Sequence, residues 1–162
     1  MLLAMAPYLL AVALALLAMA LLWGRGPERL AAAVLAMAPL LDRGMTALPL
    51  FHVLAREWMI AHFAIDAVAF LALALIAVEA NRLYTLVLGA LQLLVLLAHV
   101  TRLIEPRIAP EAAEMLLAGP AWLQQGVMAI GLLSHRLRER RWGPTRSWRR
   151  SGEPPFNLPP NF

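Results

Sequence analysis

The chain alternates long apolar runs with short charged breaks, and the lengths of the runs set the expected elements. Residues 2–23 (LLAMAPYLLAVALALLAMALLW) hold no charge, and about twenty apolar residues are what a helix needs to cross the hydrocarbon core of a bilayer. A cleaved signal peptide is the rival reading, with AMA at 18–20 as its small-residue site. The run lacks the basic leader such a peptide carries, so it reads as a retained first helix with Trp23 at the interface.

GRGPER then turns the chain, and Pro27 suits the opening of a second helix over about Glu28 to Asp42. Pro39 is placed to kink that helix, which is short for a span unless it continues past Gly44. DRGMTALPLFHVLAREW has charges and two breakers, Gly44 and Pro49, and reads as a connection lying along the membrane surface. A third run covers about Trp58 to Val78, EANR is long enough only for an antiparallel return, and a fourth run covers about Leu83 to Ile104. In the last apolar region Gly119 and Pro120 fall mid-run. Proline is favoured in a first helical turn and disfavoured inside a helix. The pattern therefore predicts a short surface helix at 110–118 and a separate span from Pro120 to about His135.

The expected fold is all-α: an integral membrane bundle of five transmembrane helices, four if the second is re-entrant. It occupies residues 1–135, and 136–162 form a basic, Pro-rich cytoplasmic tail. Composition agrees. Of 162 residues 62% are hydrophobic, above the usual half for a soluble domain, and the mean hydropathy is +0.70. Cysteine is absent, which excludes disulfides, thiolate metal sites and cysteine nucleophiles. All 14 basic residues are Arg, which with the Ala and Leu richness points to a high-GC bacterial genome.

The formal charge of +4 changes the picture only through its placement. Arg136, Arg138, Arg140, Arg141, Arg146, Arg149 and Arg150 follow the last apolar run, interleaved with Trp142 and Trp148. Stacking of those tryptophans on nucleic acid is one reading. A juxtamembrane basic cluster more simply marks the cytoplasmic face and its anionic lipids, so no nucleic-acid partner is expected. The expected location is a bacterial inner membrane, N-terminus outside and C-terminus cytoplasmic, with the lipid bilayer and other membrane subunits or a second copy as partners.

Candidate chemistry lies inside the apolar runs. His62 and Asp66 stand one helical turn apart in the third, and Thr85, Gln92 and His99 recur every seven residues in the fourth, which places them on one stripe with Arg102 a turn beyond. Antiparallel packing brings the start of the third helix level with the end of the fourth. Asp42, Gln124 and Gln125 join the same layer. A bare charge near the bilayer centre costs about 2.5–3.5 kcal/mol on insertion scales, so these groups should turn inward and pair, Asp66 with Arg102 or a histidine.

Four readings fit that layer: a structural network fixing helix register, a proton or ion path, a haem or divalent-metal site on His62, Asp66 and His99, and general acid–base catalysis. No HExxH spacing, nucleophile elbow, P-loop, Rossmann fingerprint or EF-hand pattern accompanies it. No cofactor is therefore expected, and a catalytic role is not favoured. The leading expectation is a non-enzymatic accessory or scaffold component of a membrane assembly. A small proton-coupled carrier or holin-like pore is the alternative, and a haem- or metal-binding membrane protein is third. His52 and His135 read as interfacial, the eight Met as core filling, and Gly119, Gly126 and Gly131 as points of close helix approach.

Overall fold

The computed structural model describes residues 6–47, 55–80, 82–105, 107–143 and 148. Five helices follow one another: α1 (Ala6–Trp23), α2 (Gly26–Thr46), α3 (Ala55–Glu79), α4 (Leu83–Ile104) and α5 (Pro110–Trp142). Among the described residues there is no strand, and the one extended contact outside the helices is an isolated bridge between Ala80 and Trp148. His52, Phe51 and Pro49 lie outside the described residues, as do Arg146, Arg149 and Arg150.

Three helices are long and apolar enough to cross a membrane, over Met59–Glu79, Leu83–Arg102 and Glu114–Trp142. The apolar stretch of α1, Tyr8–Trp23, is shorter. α2 has the length, at 21 residues, but carries Glu28, Arg29, Asp42 and Arg43. It does run past Gly44, with Pro39 inside it.

Packing is a closed ring. Each helix lies against its chain neighbours, α1 meets α5, and α2 also touches α5 across the middle. The connections between α1 and α2, and between α3 and α4, are too short for anything but reversal. The outward faces are apolar: Val68, Leu71, Leu75 and Val78 form an exposed stripe along α3 at helical spacing, and Leu123, Ile130 and Leu133 are exposed on α5. On a water-soluble protein such stripes would be buried; here they are the surface a hydrocarbon solvent would wet. Small side chains line the α1–α2 contact, with Ala13, Ala20, Ala31, Ala32 and Ala36 all buried, so the two backbones approach closely. Leu73, Leu88, Met128 and Leu132 fill the centre and are fully buried.

The expected break at Pro120 does not occur. α5 is one helix of 33 residues with Pro120 inside it. Proline removes one backbone bond and crowds one carbonyl, while the rest of the helical ladder and its packing on α4, α1 and α2 remain. Membrane helices tolerate that loss because neighbouring groups re-satisfy the freed carbonyl. The helix also continues seven residues beyond His135, so Arg136, Arg138, Arg140 and Arg141 are helical. It ends at Gly143, whose positive φ of 74° suits a residue without a Cβ, its N–H bonding Glu139 O at 3.0 Å.

Candidate functional site

At one end of the bundle, late α2, early α3, late α4 and the middle of α5 bring together most of the expected polar layer. The stripe on α4 faces inward as its spacing requires: Thr85, Gln92 and His99 are all buried. His99 Nε2 lies 2.8 Å from Asp66 Oδ2. Gln92 Nε2 donates to Asp66 Oδ1 at 2.9 Å and to the Asp66 backbone carbonyl at 3.3 Å. Gln124 Nε2 donates in turn to Gln92 Oε1 at 2.8 Å and to Leu88 O at 3.3 Å. The amide and the imidazole of α4 thus converge on one carboxylate of α3, and the α5 amide of Gln124 backs the Gln92 side chain. Phe63 stands edge-on to the His99 ring, 6.2 Å between centroids.

Of the partners expected for Asp66, Arg102 or a histidine, the structure gives His99, and Arg102 is exposed on α4 rather than part of the layer. It lies a turn beyond His99 in the last turn of α4, where a long basic side chain can keep its charged head in water. His62 does not join Asp66 but pairs with Asp42 of α2. The candidate set His62, Asp66 and His99 is therefore divided into two imidazole–carboxylate pairs. Among the described residues no three His, Asp or Glu side chains come together as a metal site.

Between these helices lies a cavity of about 310 Å³. All five helices line it: Leu9 from α1, Val34 and Asp42 from α2, Asp66 from α3, His99 from α4, and Gln125 from α5 are among its walls. Most of the lining is aliphatic, with a few convergent polar groups, which is the usual make-up of a small-ligand site. Gln125 is buried and its Oε1 has no hydrogen-bond partner.

A second polar cluster, at the opposite end, was not expected. Glu28 is wholly buried. Its Oε1 accepts from Arg82 Nε at 3.3 Å and lies 3.9 Å from His135 Nδ1, while Oε2 accepts the backbone N–H of Arg25 at 3.2 Å. Arg82 Nη2 approaches His135 Nδ1 at 3.4 Å, and His135 Nε2 lies 3.5 Å from Glu139 Oε2. Arg25 Nε closes the network on Glu139 Oε1 at 2.6 Å. His135, expected at the interface, is 2% exposed and belongs to this knot. The available sequence signal was the presence of two acids, two arginines and a histidine at the three helix ends that a reversing topology stacks together.

Of the basic segment, Arg136 lies over the Trp23 ring, 5.0 Å from its centroid, joining α5 to α1. Arg138, Arg140, Arg141 and Trp142 are exposed at the end of α5. Trp148 folds back so that its indole lies against Gly26, where a Cβ would stand 2.5 Å from Nε1. Comparison with protein-family models, with curated proteins and with solved structures finds no match for the chain.

Proposed function

We propose that this chain is a small proton-coupled carrier of the bacterial inner membrane, taking a small amphiphilic ligand into the cavity beside Asp66 and His99. One observation carries the reading: the amide ladder from Gln124 through Gln92 ends on a carboxylate that also holds an imidazole, at the wall of a ligand-sized cavity. A purely structural network has no need of the empty volume, whereas a carrier needs both space and a group that can exchange a proton. The fully buried Leu73, Leu88, Met128 and Leu132 separate this cavity from the Glu28 cluster, so ligand release at that end requires the central helices to part. The Glu28 knot, which ties α2, α4 and α5, is suited to hold that end shut.

In this proposal all five helices span the bilayer, with the N-terminus outside and the Arg-rich end in the cytoplasm. The test is accumulation in proteoliposomes. A pH gradient should drive uptake of at least one member of a mixed panel of small amines, alcohols and carboxylates, read by mass spectrometry of the vesicle contents, and Asp66→Asn should abolish it. If no member accumulates above protein-free vesicles, the carrier reading is wrong.

An accessory-subunit role is the second reading. The exposed Arg138, Arg140, Arg141 and Trp142 at the end of α5 favour it, because they form a basic, aromatic surface fit for anionic lipid or an acidic partner. Absent uptake together with a stoichiometric partner in mild detergent would transfer the assignment to this reading.

A further inference from the structure

The carrier reading leaves the ligand's chemistry open, and the charge and hydrogen-bonding balance of the cavity narrows it. Among the described residues the titratable lining groups are Asp42 from α2, His62 and Asp66 from α3, His99 from α4 and Glu114 from α5; from α1 the described lining residue is the aliphatic Leu9, and no described arginine lines the space. Three carboxylates against two imidazoles give a formal charge of −3 with both rings neutral and −1 with both protonated. The balance of the described lining groups thus stays negative whichever form the rings take, which favours a cation over an anion.

Hydrogen bonding narrows the choice further. The amide donors of Gln92 and Gln124 are already engaged on Asp66, Gln92 and Leu88. What stands open is an acceptor, Gln125 Oε1, on a side chain that is 5% exposed and lines the cavity. A buried acceptor left unpaired is costly, so the site gains by receiving an N–H. The volume corresponds to about ten water-sized atoms at the share of liquid each water takes.

We infer, building on the carrier reading, that the cavity binds a small protonated amine, whose ammonium takes the Asp66 carboxylate and Gln125 Oε1 while the imidazolium proton of His99 leaves. The exchange is neutral: one positive charge enters the Asp66–His99 site and one proton departs. The ligand and the His99 proton compete for the same carboxylate, so raising the pH tightens binding of the protonated amine. The neighbouring His62 is tied to Asp42, and both enter the same charge balance.

Titration calorimetry on the purified full chain in detergent, in two buffers of different ionisation heat, reads affinity and proton release together. The probes are 2-phenylethylamine, its neutral counterpart 2-phenylethanol, and phenylacetate. The amine should bind with proton release, the alcohol should bind roughly tenfold or more weakly, as expected for losing a charged hydrogen bond, and the carboxylate should give no heat. Gln125→Leu, which removes an acceptor with no partner, should weaken the amine while leaving the melting temperature unchanged, so it remains informative if Asp66→Asn folds poorly. Tighter binding of the alcohol or the carboxylate than of the amine overturns the ammonium assignment yet leaves a ligand-binding cavity standing. Amine binding without proton release, or unaltered in Gln125→Leu, overturns the exchange geometry. No binding by any probe overturns the inference, while uptake of another compound in the vesicle panel would still support the carrier.

Discussion

Glu28 has no exposed surface and sits between a guanidinium, an imidazole and a backbone N–H. Removing its carboxylate takes away the acceptor of Arg82 Nε and breaks a buried ion pair, which costs about 3–5 kcal/mol. Glu28→Ala is therefore expected to lower stability by about that amount in detergent denaturation. Glu79→Ala, at an exposed position on α3, should change it by no more than about 0.5 kcal/mol. Equal losses would refute the buried ion pair. This residue also marks where sequence reasoning ran short. Glu28 opens a helix, Arg82 precedes one and His135 lies near the end of another, and each alone reads as a wetted helix end. Their partners are 54 and 53 residues away along the chain, a separation over which no local pattern carries information. Asp66 and His99 were legible because both interrupt apolar runs, where an ionisable group must have a partner.

At the scale of the element, α4 was legible from its seven-residue polar stripe and α5 was not. The stripe survives because a helix facing lipid on one side must gather its polar groups on the other. The α5 break was expected from proline's cost in helices bathed in water, and in a packed apolar bundle that cost is met by the surrounding helices. Glycine spacing was similarly coarse: of Gly119, Gly126 and Gly131, only Gly131 lies under a neighbour, where a Cβ would come 2.8 Å from the Tyr84 ring of α4. Gly131→Ala should push α4 and α5 apart and cost about 1–3 kcal/mol. Gly126→Ala, with nothing within 4 Å, should instead stabilise by about 0.5–1 kcal/mol through helix propensity. Melting temperatures moving in opposite directions would support this contact; a parallel shift would contradict it.

For the molecule as a whole, three helices meet the length and hydropathy that spanning requires, and the ring packing brings α1 and α2 alongside them. If all five cross, the two ends of the chain face different compartments. Reporter fusions should then give an enzyme active only outside the cytoplasm at the N-terminus and a fluorophore that matures only in the cytoplasm at the C-terminus. Reporters active on one common side would exclude the five-span arrangement. The exposed apolar stripes on α3 and α5 are the structural counterpart of the high hydrophobic content, since apolar side chains on an outward face suit a hydrocarbon solvent.

The seam between α1 and α5 closes the ring, and it joins a helix made early in synthesis to one made late. Until α5 has left the ribosome, Gln92 lacks the amide of Gln124, and the ring of helices stands open on one side. Synthesis of this chain therefore includes an interval in which Asp66, Gln92 and His99 stand together while the wall that α5 supplies is still missing.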